Sequence, residues 1–433
     1  MEKRKLLMVA TLAMALTSPL FAQGANESKG SSKVAGPVTI NYYTWNDASH
    51  QAMVDEFNKT HTDVQVDGHI LAAADYETKI TTLLSGRADI DAFMEKRPTD
   101  IFNQYDNGYL EPLNSYIEKS GGSQAVDNYK STVSIDKDIV ALPWRGGAYF
   151  TYYNKSVFEK AGIPTPDTYV KNGTWTWEKF EEVSEAIHKA DSSLIGSSIY
   201  IWGSNGFFMA DQAGDKLIDK DGNVGNLNNV LKQLEMRKRL EDSGSMWKLI
   251  DMKVTKTHYS KQFYDGKLGM LIIGEWFPGQ MATGEKDGLL NGYTYEDFGI
   301  TRMPCDVSDY RTSNPSTANS ITTYSKKKDA AWEFINWMSG PEGAAIAATY
   351  GILPADASDK AVSIISENLP KGNSAQYYLE PKVSQSSNFS MYGTRVEAEF
   401  SKLQEDYLLG NLTSKQFMDK FTSVCNEIVK TTY

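Results

Sequence analysis

The chain has 433 residues, of which 41% are hydrophobic and 23% are charged, and this composition excludes a disordered chain and a membrane-embedded bundle. The formal net charge of −11 argues against binding to nucleic acid or to anionic lipid. Aromatic residues make up 12%, with 9 Trp and 24 Tyr, and their positions are the most informative part of the composition.

The first 22 residues predict a secretory signal peptide. Three cations among the first five residues precede an uncharged apolar run, and Ala22 suits the position before the cleavage site. Cleavage there would remove three cations and Glu2, and would change the net charge from −11 to −13. Residues 23–37 predict a flexible leader without a cysteine for lipid attachment, so we expect a freely diffusing periplasmic protein.

Strand-like and helix-like segments alternate along the rest of the chain. Residues 38–45 alternate apolar and polar positions, and helical spacing follows after Ser49 and Asp75, which can cap the two helices. Further strand-like runs lie at residues 139–142, 198–201 and 268–273, with helical patterns between them. This alternation predicts an α/β fold.

The histidines and cysteines indicate no cofactor. The five His are scattered and the two Cys, Cys305 and Cys425, are far apart, so no metal site is predicted. A disulfide between the two cysteines and a pair of free thiols are both compatible with this count in an exported protein.

Four tryptophans each follow the end of a strand-like run at once or within three residues: Trp45, Trp144, Trp202 and Trp276. Ligands of open α/β sheets bind outside the carboxyl ends of the strands, so these indoles are predicted to converge on one crevice. Flat aromatic faces suit the C–H faces of pyranose rings, while nearby carboxylates and amides bind the hydroxyls. The alternative is that each indole only fills core volume.

Three segments carry a resemblance to a known family. The first contains ALPWRGGAYFTYYN (141–154), FEKAGIP (158–164) and TWTWEKF (174–180). The second contains FYDGKLGM (263–270) and GEW (274–276), and the third contains SKKKDAAWEFINWM (325–338) and GILP (351–354). In this order and spacing they resemble the family 1 extracellular solute-binding proteins of ABC importers, a group that includes maltose- and maltodextrin-binding proteins.

The resemblance implies the two-lobe periplasmic-binding-protein fold of class II type, in which crossing hinge segments join two α/β lobes. Carried onto this sequence, the N-lobe comprises residues 38–144 and 304–339, and the C-lobe comprises residues 149–299 and 343–433. The hinges are then expected near residues 145–148, 300–303 and 340–342.

The resemblance also implies that ligand contacts come from both lobes and from the crossings. Together with the tryptophan positions, it gives the expected contacts Trp45, Asn46, Asp47, Glu95, Arg97, Trp144, Arg145, Trp202, Glu275, Trp276, Asn319 and Tyr392.

The function implied is capture of a mono- or oligosaccharide between two lobes and its delivery to the membrane subunits of an ABC importer, by a non-enzymatic and monomeric protein. Two alternatives remain open at this stage. Arg97 and Arg145 leave room for an acidic sugar or a non-sugar cargo, because a guanidinium pairs bidentately with a carboxylate. Asp47, Glu95 and Glu275 beside aromatic residues are also compatible with a secreted carbohydrate-active enzyme.

Overall fold

A computed structural model describes residues 36–97, 99–313, 317–372, 374–379 and 382–432. The predicted signal peptide and the leader up to residue 35 lie outside the described residues. Residues from Pro37 onward form one compact unit, and it is this unit that is described below. Among its described helices, none has both the length and the apolar character needed to cross a membrane.

The first lobe is built around a five-stranded sheet. Its strands follow the order β2-β1-β3-β11-β6, where β11 is Ala318–Ile321 and the other ranges are given below. Strand β1 is parallel to β2 and β3, whereas β11 is antiparallel to β3 and β6. The elements up to β6 are β1 (Val38–Trp45), α1 (Ala48–Thr60), β2 (Val64–Leu71), α2 (Tyr76–Ser85), β3 (Ala92–Glu95), α3 (Asp100–Asp106), α4 (Asn114–Lys119), α5 (Gln124–Tyr129), β4 (Ser134–Ile135), β5 (Asp138–Ile139) and β6 (Leu142–Pro143).

The start of this lobe follows the hydrophobic pattern of the sequence, with one correction. Ile40 and Tyr42 of β1 and Phe57 of α1 are fully buried, as the alternation and the helical spacing predict. The cap of α1 is Asp47 rather than the predicted Ser49, because the Asp47 side chain accepts a hydrogen bond from the Ser49 backbone N–H. Asp75 does precede α2, but its side chain forms no capping hydrogen bond.

The second lobe contains a four-stranded sheet in the order β10-β7-β9-β8, in which β9 is parallel to β8 and antiparallel to β7, and β7 is antiparallel to β10. All residues of β9 are buried, since helices cover both faces of the sheet. The elements are β7 (Tyr149–Asn154), α6 (Lys155–Ala161), α7 (Pro166–Lys171), α8 (Trp177–Ala190), β8 (Ile195–Ile199), α9 (Phe208–Ala213), α10 (Asn228–Asp242), α11 (Leu249–Thr255), α12 (Ser260–Tyr264), β9 (Leu268–Gly274), α13 (Phe277–Lys286) and β10 (Phe298–Arg302).

The chain then returns to the first sheet and ends in helices. The remaining elements are β11 (Ala318–Ile321), α14 (Lys328–Ser339), α15 (Pro341–Thr349), α16 (Asp359–Asn368), α17 (Ser374–Tyr378), α18 (Gly393–Leu408) and α19 (Ser414–Lys430). Helices α18 and α19 share a separate apolar cluster around Phe400, Phe417 and Phe421, and Phe207 beside α9 belongs to it. The two sheets and their separate cores confirm the predicted two-lobe α/β architecture.

Two extended segments run side by side where the lobes meet. The Gly146 N–H donates to the Leu353 carbonyl at 2.7 Å, and the Ala355 N–H donates to the Trp144 carbonyl at 2.8 Å. A Cβ on Gly146 would lie 3.0 Å from both Leu353 and the Pro354 carbonyl, so any other residue would require these neighbours to shift. Residues 145–148 therefore form the link between β6 and β7, held by residues 353–355.

The other two hinge positions differ from those expected. Ile300 lies within β10 and is fully buried, because this strand pairs with β7 as far as Arg302. Residues 304–313 also belong to the second lobe, where Gln212 of α9 donates to the carbonyls of Pro304 and Arg311 at 2.8 Å. The next strand along the chain, β11, belongs to the first sheet. Residues 314–316 lie outside the described residues.

The third expected hinge, residues 340–342, is instead the start of helix α15. Pro341 occupies its first turn, a position that proline favours. Helix α15 contributes Ala347 to the first core and Ala348 to the second, so it packs against both lobes. The chain passes between the lobes beyond it, at residues 351–355.

Two other sequence expectations are refined. The predicted strand at 198–201 is β8, Ile195–Ile199, and the run at 139–142 is divided between the two-residue strands β5 and β6. Cys305 and Cys425 are both free thiols.

Candidate functional site

An ion-pair cluster lies at the first crossing between the lobes. Arg145 Nη2 donates to Asp47 Oδ2 at 3.1 Å, and Arg145 Nη1 lies 3.8 Å from Glu275 Oε1. Asp47 follows β1 of the first sheet, and Glu275 follows β9 of the second. The carboxyl ends of these two strands thus bring one carboxylate from each lobe to the guanidinium of the crossing.

Aromatic rings enclose the guanidinium on the first-lobe side. The Arg145 guanidinium carbon lies 4.8 Å from the centre of the Trp144 ring and 5.9 Å from that of Trp45, distances typical of cation–π contacts. The His50 ring contacts both indoles, with centroids 4.6 Å from Trp45 and 5.0 Å from Trp144. This packing fixes the arginine, whose side chain is only 6% exposed.

Burial and charge together shift the pKa values of the cluster in different directions. Burial alone would raise the pKa of Asp47, but Arg145, His50 and hydrogen bonds from Ser49 hold it well below its usual range. Burial raises the pKa of Glu275 from 4.5 to about 7, although Arg145 opposes the rise. Burial lowers the pKa of His50 to about 4, so the ring is neutral at neutral pH. Asp47 is therefore the stably ionised partner of Arg145.

A second aromatic group lies on the other lobe. The Trp202 and Trp276 ring centroids are 5.8 Å apart, and the Trp202 residue is 39% exposed. Trp276 Nε1 donates to the Tyr259 hydroxyl at 2.9 Å, which fixes the plane of the indole. A Cβ on Gly274 would lie 2.0 Å from the Trp276 ring, so this glycine is what allows the indole to fold back over the strand end. Together, Trp202 and Trp276 form an aromatic surface beside Glu275.

Tyr149 at the start of β7 connects this surface to the ion-pair cluster. Its ring centroid is 6.1 Å from that of Trp276. The pKa of the Tyr149 hydroxyl is raised well above its usual value, mainly by burial and further by the nearby charges of Glu275 and Glu397. Tyr149 thus lies among residues of the crossing, the aromatic surface and helix α18.

The lobes also touch each other between α3 and α18. The Thr394 hydroxyl donates to Asp100 Oδ1 at 3.1 Å, and Arg97 Nε donates to Asp100 Oδ2 at 3.0 Å. The Phe102 and Phe389 ring centroids are 4.8 Å apart in an edge-to-face contact. Arg97 is therefore bound to a carboxylate of its own lobe at the interlobe contact.

Glu95 lies deeper than expected. It ends β3, is only 3% exposed, and its Oε1 atom has no hydrogen-bond partner among the described residues. Burial raises its pKa from 4.5 to about 8, and the nearby Asp100 adds to the rise, while Ser320 and Gln104 act against it. Glu95 is thus protonated over most of the neutral range, and it is buried rather than exposed at a surface.

Three other expected contacts are buried in the cores. Asn319 is fully buried in the first core, where it accepts a hydrogen bond from the Tyr42 hydroxyl at 2.7 Å, because its position on β11 faces α14. Tyr392 is fully buried in the cluster under α18. Trp144 is 1% exposed, and its ring packs against the Arg145 guanidinium. All three residues are thus buried in this structure.

Asn46 is exposed to solvent, and its side-chain oxygen accepts a hydrogen bond from the Ala73 N–H at 2.7 Å. Three residues that complete the aromatic groups are not among those expected from the sequence, namely His50, Tyr149 and Tyr259. A signal was present for His50, because helical spacing from the Asp47 cap turns it back toward Trp45. The positions of the two tyrosines depend on contacts between distant segments.

The His, Cys, Asp and Glu side chains of the described residues form no group of three or more that could hold a metal ion. A groove of about 1220 Å³ lies along α1, α14 and α15, and its lining includes Trp332 and Trp337 but none of the expected ligand contacts.

Comparisons with known proteins agree with this architecture. The chain is 25% identical over 281 residues to a binding protein of Brucella abortus (strain 2308), a match that covers 60% of this chain. The chain spans about 61% of that relative's length. It is also 24% identical over 385 residues to a mannitol-binding protein of Pseudomonas aeruginosa, covering 85% of this chain and 78% of the relative.

A solved structure gives the same result for the fold. A sugar transporter of Rhizobium etli in an open conformation superposes with a TM-score of 0.74 at 24% sequence identity, covering 92% of this chain and all of that one.

The sequence model of the bacterial extracellular solute-binding protein family matches residues 44–345, most of the described unit. The chain therefore belongs to the bacterial extracellular solute-binding protein family.

Proposed function

We propose that the cleft between the lobes binds a mono- or oligosaccharide and that the protein delivers this sugar to the membrane subunits of an ABC importer. The observation that carries the proposal is the position of a partly exposed aromatic surface, Trp202 and Trp276, beside a largely buried cluster of charged groups, Asp47, Arg145 and Glu275. Indole faces pack on the apolar faces of sugar rings, and carboxylates and a guanidinium bind the hydroxyls.

Several buried polar atoms of this cluster have hydrogen-bonding capacity that the protein does not use. They are Arg145 Nε, Trp144 Nε1 and both carboxylate oxygens of Glu275, none of which has a hydrogen-bond partner among the described residues. Buried polar atoms are nearly always hydrogen-bonded in folded proteins. Donors and acceptors grouped at one place between two lobes suit a ligand with many hydroxyls.

The relatives support the sugar assignment. One relative is a mannitol-binding protein, and the solved structure with the same fold is that of a sugar transporter. We further propose that the protein acts as a monomer outside the cytoplasm. Sugar contacts from both lobes would shift an equilibrium toward the closed form that the importer recognises.

We propose binding without catalysis. A glycosidase needs a free carboxylate and a general acid on either side of the bond that is cut. The raised pKa of Glu275 would suit a general acid, but the Asp47 carboxylate is occupied on one oxygen by Ser49 and on the other by Arg145. The oligosaccharides that bind should therefore be recovered unchanged after prolonged incubation, as measured by chromatography. Release of shorter products by the wild-type protein, and not by Glu275→Gln, would instead indicate an enzyme.

The binding proposal is tested by isothermal titration of the purified protein with a panel of monosaccharides, sugar alcohols and oligosaccharides. Small-angle scattering of the same samples measures closure. We expect at least one member of the panel to bind with saturation and to reduce the radius of gyration. A folded protein that binds no member of the panel would contradict the proposal.

A further inference from the structure

The cleft holds more carboxylates than cations. Arg145 faces Asp47 of the first lobe and Glu275 of the second. At the interlobe contact, Arg97 pairs with Asp100 at 3.0 Å. The charge of each guanidinium is thus already balanced by a carboxylate of the protein, and Glu275 is left over.

Glu275 is a buried carboxylate without a full partner. The residue is 1% exposed, and its nearest cation, Arg145 Nη1, lies 3.8 Å away, beyond hydrogen-bonding distance. The backbone N–H groups of Ala148 and Glu275 itself lie close and favour its charged form, but neither carboxylate oxygen accepts a hydrogen bond of good geometry. Arg145 is closer to Asp47, at 3.1 Å. An ionised Glu275 would therefore leave the three-residue cluster with an excess negative charge.

The surroundings of this carboxylate also favour a cation. Trp276 follows Glu275 in the chain, and the Tyr149 ring lies 6.1 Å from the Trp276 ring. Aromatic faces attract a positive charge at their centres. The faces of Trp45 and Trp144 are already occupied by Arg145, whereas Trp202 and Trp276 have no cationic partner among the described residues.

We propose that the cargo is a sugar that carries a protonated amine, free or as a unit of an oligosaccharide, and that its ammonium group pairs with Glu275. The inference rests on the proposed function and specifies its substrate class. An ammonium group supplies three donors and a charge to the two open oxygens, and hydrogen bonds between charged groups are stronger than those of a hydroxyl. An acidic sugar would instead add a negative charge next to Asp47 and Glu275, whose arginine is already paired.

The test compares matched sugars that differ only in charge. Isothermal titration would use glucosamine, glucose and glucuronate, the galactose and mannose series, and the corresponding oligosaccharides. In the series that binds, we expect the amine to bind about tenfold more tightly than the neutral sugar, the effect of one strong charge-assisted hydrogen bond. The uronate should bind more weakly than both.

The variant Glu275→Gln assigns the preference to one residue. We expect it to reduce the ratio between the amine and neutral dissociation constants to near one. Glu241→Gln is the matched control, since Glu241 is a buried carboxylate that pairs with Arg237 at 2.6 Å on α10, outside the cleft. The control should keep the wild-type ratio.

A second measurement uses only the wild-type protein, so its result does not depend on whether the variant folds. Raising the salt concentration should weaken binding of the amine slightly, since a buried pair is screened less than an exposed one, and should leave binding of the neutral sugar unchanged. Equal or tighter binding of the neutral sugar, or tightest binding of the uronate, would overturn the inference and leave the proposed function intact. Binding of no sugar of any charge would overturn the proposed function as well.

Discussion

Asp47 uses one carboxylate oxygen to accept a hydrogen bond from Arg145 at 3.1 Å and the other to cap helix α1 through the Ser49 N–H at 2.9 Å. The crossing between the lobes is thereby attached to the first helix of the first lobe. Arg145 also faces Glu275 of the second lobe, so a single guanidinium lies at the point where both lobes and the crossing meet.

Replacement of Arg145 should cost both stability and ligand affinity. Arg145→Met leaves Asp47 and Glu275 close together without a cation, and breaking such a buried pair costs about 3 kcal/mol of unfolding free energy. We expect sugar affinity to fall by more than about tenfold, since the guanidinium also orients both carboxylates. Urea unfolding followed by tryptophan fluorescence and isothermal titration measure the two effects.

The control for this prediction is Arg239→Met. Arg239 pairs with Glu181 at 2.6 Å, but its side chain is 57% exposed, and exposed pairs contribute little. It should change the unfolding free energy by less than about 1 kcal/mol and leave binding unaltered. Wild-type stability in Arg145→Met would contradict the central role of the arginine.

Removal of Trp202 should weaken binding while preserving the fold. Trp202→Ala removes a partly exposed ring from the aromatic surface, and we expect an affinity loss of about tenfold. Trp337→Ala is the matched control, because Trp337 is a half-buried indole on α14 that packs against Phe57 and lies outside the cleft. Isothermal titration of both variants with the same sugar measures the two affinities. An equal loss of affinity in both variants would show that the effect is only structural.

The stability of the protein should depend on pH through Glu95. Burial raises the pKa of this carboxyl from 4.5 to about 8, so the folded protein keeps a proton that the unfolded chain has lost at neutral pH. The stabilisation is complete below the unfolded pKa and is lost as the pH rises through the folded pKa. Between about pH 6.5 and 8, the unfolding free energy of the wild type should therefore fall relative to that of Glu95→Gln, by up to about 1.4 kcal/mol per pH unit.

Urea titrations of both proteins at the two ends of this pH range measure the difference. Groups common to both proteins, including His50, Asp100 and Glu275, largely cancel in the comparison. Parallel pH profiles for wild type and Glu95→Gln would contradict the protonated state of this carboxyl.

The contact between Phe102 and Phe389 should stabilise the closed arrangement of the lobes. The segment that carries Phe389 is anchored to the second lobe, where the Ser387 N–H donates to Asp211 at 2.6 Å, while Phe102 packs on the first core. An edge-to-face aromatic pair contributes about 1 kcal/mol, so Phe102→Ala should shift the equilibrium toward the open form by about fivefold. Small-angle scattering without ligand should show a larger radius of gyration.

The variant Phe389→Ala and the double variant provide the control for this contact. Each single change should open the lobes to the same extent, and the double change should add little, because the first removes the shared interaction. Additive effects, or no change in scattering, would show that the contact does not hold the lobes together.

Local patterns in the sequence were sufficient for most of the elements. Strand β1 and helix α1 followed from the spacing of Ile40, Tyr42 and Phe57, because burial of one face imposes that spacing. The crossings were harder to predict. Residues 304–313 have no periodicity, and their place in the second lobe depends on Gln212, which lies about a hundred residues earlier in the chain.

The proximity of the candidate residues could be predicted where they follow strand ends, whereas their burial could not. Trp144 and Trp202 occupy similar positions after strands, yet one is 1% and the other 39% exposed. The difference comes from His50 and Arg145, which cover Trp144 from distant parts of the chain. Similarly, the side chain of Asn319 faces Tyr42 and Met338 in the core, a direction that the sequence alone does not define.

The central claim is that the cleft around Arg145 and Trp276 binds a carbohydrate. Isothermal titration of the wild-type protein, Arg145→Met and Trp276→Ala against the same sugar panel tests it most directly. We predict saturable one-to-one binding of at least one sugar to the wild type and a strong loss of binding in both variants. Absence of binding to the folded wild type, or binding that both variants retain at full affinity, would contradict the claim.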